Sequence, residues 1–420
     1  MARDSVPLPR RISNRKVDMS VVSKRVDLFQ KCFGYTRARE AMAAGVYPYY
    51  IPIEGSTDTE VMVHGKKLIM VGSNNYLGLT HHPKVMEAAA KATERYGTGC
   101  TGSRLLNGTL DIHEKLEADL AEFVGHEASI IYSTGYQANL GAISALIGRD
   151  DVVLIDKLDH ASIVDGCTMA RGETLRFRHN DIADLEAELS VLADKPGGRL
   201  VAVDGVFSME GDIAPIPALL EACKKYEARL FVDEAHSLGV IGPTGAGAMD
   251  HYGMKGRADM IMGTFSKSFA CVGGFIAADE AVIHYLRHHS RSLMFSAAMP
   301  PGAVATVAAC LEIIKNEPER RTHLMENARY LRDGIRALGY ETGPTETPIV
   351  PVIIGSLEKT LAFWRLIMNE GIFTNAVVPP AVPPNACRLR TSCTATHTRE
   401  QLDQVLDAFA RVGRKLRSMA

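Results

Sequence analysis

Leu230-Phe231-Val232-Asp233-Glu234-Ala235-His236 is an apolar run that ends in a carboxylate, with an imidazole three residues further on. A run without polar alternation is the pattern of a strand covered on both faces. Ala128 to Tyr132, Asp151 to Asp156, Leu200 to Gly205, Met260 to Thr264 and Gly274 to Ala278 read the same way. Amphipathic stretches lie between them. In Asp111 to Val124, residues Ile112, Leu116, Leu120 and Phe123 share one face, Asp111 and Glu114 stand at capping-box spacing, and Gly125 is placed to end the helix. Strands alternating with helices predict an α/β fold: a mostly parallel central sheet flanked by helices.

Outward from that core, the chain divides. Residues 1–60 read as an N-terminal arm with a helix-like stretch from Val21 to Ala44, and 61–300 as the large domain. Met299-Pro300-Pro301-Gly302 reads as a boundary, and 301–420 as a smaller C-terminal α+β domain. The latter holds a long helical region to about Leu338, a strand at Ile349 to Ile354, and a Pro-rich loop at 378–384. Arg388-Leu389-Arg390-Thr391-Ser392 and a last helix follow.

Composition removes several function classes. Across 420 residues, Lys+Arg total 47 and Asp+Glu 49, a net charge of −2 that offers no footprint for nucleic acid. No apolar run reaches the length needed to span a bilayer. The basic start (Arg3, Arg10, Arg11, Arg15, Lys16) is not followed by the apolar stretch of a signal peptide, and it leaves peripheral contact with a membrane surface open. Eight cysteines are scattered without CxxC or zinc-type spacing. They read as reduced thiols of a cytoplasmic protein, and no metal site is expected.

Three segments carry chemistry. In Gly263-Thr264-Phe265-Ser266-Lys267-Ser268, a lysine follows an apolar strand between hydroxyls, which suits a Schiff-base lysine; a surface lysine in a polar loop is the plainer alternative. Thr264 and Ser266 offer hydroxyls to a phosphate. Asp233, at its strand end, needs a cationic partner if buried. The pyridinium nitrogen of pyridoxal phosphate is one, and at about 4 Å with an effective dielectric near 20 the attraction is about 4 kcal/mol. Such an Asp also caps turns or binds metals, although no second cluster at ligand spacing accompanies Asp-Glu-x-His. Third, Ile130-Ile131-Tyr132 runs into Ser133-Thr134-Gly135-Tyr136-Gln137-Ala138-Asn139, which opens a helix whose first amides favour a phosphate. Tyr136 stands close to such a group. His160, in Asp159-His160-Ala161-Ser162, is a candidate for stacking on a cofactor face or a structural histidine.

With Asn74-Asn75-Tyr76-Leu77-Gly78-Leu79 and Thr101-Gly102-Ser103-Arg104, these segments resemble motifs of the α-oxoamine synthases, pyridoxal-phosphate enzymes of the fold-type I aminotransferase-like group. The resemblance runs from about Gly45 to Thr398. It implies that Lys267 holds the cofactor and acts as base, that Asp233 pairs with the ring nitrogen and His236 with the ring hydroxyl, and that His160 stacks on the ring. Ser208, in Val206-Phe207-Ser208-Met209, is implied to contact the cofactor, Gly135 and Tyr136 to belong to its binding turn, and Thr264 and Ser266 to reach the phosphate. Ser296 is implied to reach the phosphate of a neighbouring subunit, so that a homodimer shares the site. Arg390, with Asn75, is implied to take the substrate carboxylate; Arg388 competes from two residues away.

The reaction implied is a decarboxylative condensation of an amino acid with an acyl thioester of coenzyme A or an acyl carrier protein. Residues 102–109, 175–180 and 209–215 resemble the branch that joins serine to a long acyl chain and opens sphingolipid synthesis. Asn74, Val378 and Val382 stand where some members of that branch carry an aromatic residue, an arginine and a threonine. Sister branches use glycine or alanine with shorter acyl groups. Heteromeric relatives include non-catalytic subunits that lack the lysine, which this chain has.

Overall fold

The computed structural model describes residues 27–419, so the basic start and the first part of the Val21–Ala44 stretch lie outside the described residues. Residues 27–47 carry two short helices, α1 (Gln30–Phe33) and α2 (Arg37–Ala43), neither with a buried residue. The single helix expected there is broken at Gly34-Tyr35-Thr36.

From Pro48 onward the chain forms one unit. An antiparallel ribbon, β1 (Gly55–Ser56), β2 (Glu60–Val63) and β3 (Lys66–Met70), comes first. The central sheet has seven strands: β4 (Ala128–Tyr132), β5 (Val152–Asp156), β6 (Glu173–Phe177), β7 (Arg199–Asp204), β8 (Arg229–Asp233), β9 (Met260–Thr264) and β10 (Gly274–Ala278). Their spatial order is β4-β10-β9-β8-β7-β5-β6. Strands β5 to β9 are parallel, and β10 runs antiparallel to both its neighbours. The six strands expected from the apolar runs are all present, their ends within a residue. The seventh, β6, was missed for a physical reason. It is one of the two sheet edges and, unlike the well-covered other edge β4, has only Phe177 of its five residues buried, so its side chains form no apolar run.

Side chains of the inner strands alternate between two cores. Leu154, Val201, Val203, Leu230 and Val232 join one, while Val153, Ile155, Leu200, Ala202 and Phe231 join the other. Helices cover both faces. Among them, α3 (Pro83–Tyr96) lies against the helix Pro301–Asn316, so closely that a Cβ on Gly302 would sit 2.7 Å from Thr93 Oγ1. Helix α4 (Asp111–Val124) ends as expected, with Gly125 left-handed at φ 81°. Its start differs. The Leu110 amide donates to His113 Nδ1 at 3.1 Å, so the histidine ring performs the task expected of Glu114.

The expected long helical region is two helices, Pro301–Asn316 and Glu319–Ala337, separated at Glu317-Pro318. Beyond them, β11 (Ile349–Gly355), β12 (Ile372–Phe373), β13 (Asn375–Val377) and β14 (Cys387–Ser392) follow. The antiparallel sheet β11-β14-β13 carries Arg388 and Arg390, whereas β12 pairs with β3 of the first ribbon. For the site, the decisive feature is that Asp204, Asp233 and Thr264 all end parallel strands at the same edge, where open α/β sheets bind ligands. Gly274 begins β10 at that edge, opposite both Thr264 and Tyr132.

Candidate active site

A cavity of about 540 Å³ opens at this edge. The residues expected to meet there largely do: Gly135, Tyr136, His160, Ser208, Asp233, His236, Thr264, Ser266, Lys267 and Arg390 all line it.

Strand β4 delivers the chain into helix α5 (Gly135–Leu146), where Thr134 caps the start by accepting from the Gln137 amide at 3.1 Å. Gly135 is required by close approach. A Cβ there would lie 2.6 Å from Thr264 Oγ1, and one on Gly274 would lie 2.6 Å from Gly135 Cα. The helix N-terminus therefore sits directly beside the Thr264 and Ser266 hydroxyls, themselves 3.1 Å apart. Amides, dipole and hydroxyls converge on one spot, a donor set for a phosphate. Tyr136 lines the same end, its hydroxyl bonded to Asp165.

Along the floor runs a chain of buried hydrogen bonds. Asp233 accepts from Asn139 Nδ2 at 2.7 Å on one oxygen and from the Ala235 amide at 2.9 Å on the other. Asn139 also donates to Ser162 Oγ at 2.8 Å, and that hydroxyl lies 2.7 Å from His160 Nδ1. His160 caps helix α6 (Ala161–Met169), its Nδ1 accepting from the Ser162 amide. With Nδ1 an acceptor, the ring proton sits on Nε2. Burial and the nearby Lys267 lower the His160 pKa, against the pull of Asp233, so the ring is neutral. Asn139, fully buried, and Ser162 are site residues that the sequence did not disclose.

Lys267 is drawn down to about 8, chiefly by burial and further by Arg390, with Asp233 and Asp204 opposing. A lysine that loses its proton this readily is a nucleophile and a base near neutral pH. Asp204 is a third unforeseen member. It lines the cavity, and its Oδ1 has no hydrogen-bond partner. Burial, then the charge of Asp233, push its carboxyl well above the usual range.

On the opposite wall, Arg390 donates from Nε to Ser208 O at 2.7 Å, from Nη1 to Asn74 Oδ1 at 2.9 Å and to Ser392 Oγ at 3.1 Å. Among the described residues no carboxylate pairs with it. Arg388 is committed elsewhere, to Glu210 at 3.1 Å and Met209 O at 2.9 Å, and does not line the cavity. Geometry therefore favours Arg390 as the carboxylate-binding fork.

Two expected site residues stand apart. Asn75 donates to Asp58 and Thr80 and accepts from the Leu79 amide, so its side chain holds a turn; its neighbour Asn74 lines the cavity and meets Arg390. Ser296 accepts from Gln137 Nε2 at 3.0 Å, beside the first turn of α5, and does not line the cavity. Among the described residues no group of three or more His, Cys, Asp or Glu side chains could hold a metal ion, and all eight cysteines are free thiols.

The chain belongs to the aminotransferase class I and II family, whose pattern it matches over residues 66–409. Within that family it is 47% identical over 385 residues to a serine palmitoyltransferase of Sphingobacterium spiritivorum, covering 92% of this chain and 96% of that one. The serine palmitoyltransferase of S. paucimobilis, solved with a bound aldimine of PLP and myriocin, superposes with a TM-score of 0.89. It is 38% identical over 93% of this chain and 99% of the other. A distinct branch is also similar: an 8-amino-7-oxononanoate synthase of Thermoanaerobacter pseudethanolicus is 41% identical over 380 residues, 90% of this chain and 96% of that one.

Proposed function

We propose that this protein is a pyridoxal-phosphate-dependent acyltransferase that condenses L-serine with a long-chain acyl thioester, palmitoyl-CoA in type, to a 3-ketosphinganine-like amino ketone. One carbon–carbon bond forms, and carbon dioxide and the free thiol leave. The observation that carries this reading is one cavity holding a half-buried lysine beside Asp233 on the sheet side and an arginine without a carboxylate partner on the other.

The residues present fit the cofactor. Asp233 suits the ring nitrogen, His160 a ring face, His236 and Ser208 the ring oxygen, and Thr264, Ser266 and the start of α5 the phosphate. When bound, the cofactor supplies an electron sink for the carbanion at the serine α-carbon. Arg390 orients serine through its carboxylate, and Lys267, half neutral at about pH 8, takes the α-proton. Val206, Met209, Met262, Val272 and Val377 line the cavity with apolar surface. A non-catalytic subunit has no use for a lysine so placed.

A homodimer sharing the site belongs to the same reading. Leu106 and Phe295 are 80% and 70% exposed on segments joined by the Ser103–Ala297 bridge, and Val272, at the cavity, is 61% exposed. A second copy is the natural cover for such side chains. Among the described residues no helix is long and apolar enough to cross a membrane. Peripheral contact through the basic start, and a cytoplasmic location suited to free thiols, complete the proposal.

A matrix of serine, glycine and alanine against short and long acyl thioesters tests it, read as thioester-dependent release of thiol and carbon dioxide. Serine with palmitoyl-CoA is expected to dominate. Alanine with a short acyl group in the lead would assign the chain to the sister branch, to which it is also similar.

A further inference from the structure

Tyr76 has no exposed surface and does not line the cavity, yet its hydroxyl lies among three polar groups of the site. His236 Nδ1 is 2.8 Å away, Asn74 Oδ1 3.3 Å, and Arg390 Nη2 3.4 Å. The backbone holds it from both sides, with its amide donating to Asn74 O at 2.8 Å and its carbonyl accepting from the Ala395 amide at 2.7 Å. Its ring meets that of His236 edge-on, 6.1 Å between centroids.

A phenol has one proton to give, and a guanidinium only donates. The Arg390 contact therefore occupies a lone pair on the Tyr76 oxygen. The single proton then goes to His236 Nδ1 or to Asn74 Oδ1. Asn74 is already served by Arg390 Nη1 at 2.9 Å, and the histidine contact is the shorter of the two. Burial, followed by Lys267, Arg390 and His160, holds His236 neutral, so its ring carries one proton only.

We propose that Tyr76 is the positioning residue that keeps His236 with a bare Nδ1 and a protonated Nε2, and that the same hydroxyl links this donor to Arg390. The inference rests on the function proposed above, in which the ring oxygen of pyridoxal phosphate needs a donor from His236. The opposite tautomer turns a lone pair toward that oxygen. The link to Arg390 adds a second consequence. A substrate carboxylate competes for the guanidinium, loosens its long contact with Tyr76, and so alters the hydrogen bond that His236 gives the cofactor.

Nitrogen-15 NMR of the histidine-labelled full chain reads the tautomer, with the His236 signal assigned by its loss in His236→Gln. Expected are a bare Nδ1 and a protonated Nε2, without cofactor and with it, and a tautomer ratio about fivefold different in Tyr76→Phe, the weight of one buried hydrogen bond. In the cofactor-loaded Tyr76→Phe protein, the ratio of the two long-wavelength absorption bands shifts, and its response to added serine shrinks. A protonated Nδ1 in the unsubstituted protein overturns the proposal whether or not the variant folds. Unchanged tautomer and bands in a folded Tyr76→Phe overturn it as well. Failure to bind pyridoxal phosphate refutes the functional reading instead, while the tautomer of the cofactor-free protein still judges Tyr76.

Discussion

Asp204 and Asp233 are register partners at the carboxyl ends of β7 and β8, each 3% exposed, yet their hydrogen-bond surroundings differ. Two neighbouring buried carboxylates do not both ionise cheaply. Asp233 collects donors on both oxygens, whereas Asp204 Oδ1 has none. Burial, then the charge of Asp233, hold the proton on Asp204, a division that gives two acids at one edge different tasks.

Asp233→Asn is therefore expected to weaken cofactor binding by about 1,000-fold, the equivalent of about 4 kcal/mol for one close charge pair. Asp204→Asn keeps the shape and the neutrality and leaves affinity nearly unchanged. Titration of pyridoxal phosphate into both variants checks this, and equal losses would refute the division.

Only a neutral amine attacks an aldehyde, and Lys267 sits near 8. Cofactor uptake is expected to accelerate with rising pH and level off with a midpoint near 8, against about 10.4 for an ordinary lysine. Stopped-flow absorbance measures it. Lys267→Ala should lose the visible band altogether. A midpoint near the ordinary value would put that ammonium in bulk water.

The two arginines of β14 separate by their partners. Arg390→Lys loses the planar fork and should raise the KM for serine roughly 10- to 100-fold, the range for a hydrogen bond to a charged group. Arg388→Met strands Glu210, which is partly buried, and should cost about 3 kcal/mol of stability with little change in serine KM. Steady-state kinetics and denaturant melts distinguish them; the reverse pattern would make Arg388 the substrate residue.

His179 bridges Asp156 Oδ1 at 3.1 Å and Asp212 Oδ2 at 2.9 Å, beside the loop that carries Ser208. Burial opposes its charge, but hydrogen bonds to the two carboxylates prevail and raise its pKa to about 10. The folded value exceeds the unfolded one, near 6.5. The stabilisation is thus complete below pH about 6.5 and is lost as pH climbs toward 10. Thermal melts across that window should show the decline in the unsubstituted protein and a flatter profile in His179→Gln.

Much of this protein was legible in its sequence because the signals are local. Six apolar runs became strands, Gly125 ended its helix, and Lys267, Asp233 and His236 each sit at or just beyond the end of a strand that delivers them to the cavity. Strand β6 left no such trace, since four of its five residues are not buried and need not be apolar. Asn75 and Asn74 show the limit at single-residue scale. Adjacent and chemically identical, they diverge because the turn at 73–80 points one amide at Asp58 and Thr80 and the other at Arg390. Asn139 meets Asp233 from 94 residues away and Tyr76 meets His236 from 160. What the sequence by itself determined is the order of strands and helices and the chemical groups at their ends, because backbone periodicity and apolar burial act over a few residues. Only the tertiary structure decided which buried polar atoms share a proton, because that depends on tenths of an ångström between segments the chain keeps far apart.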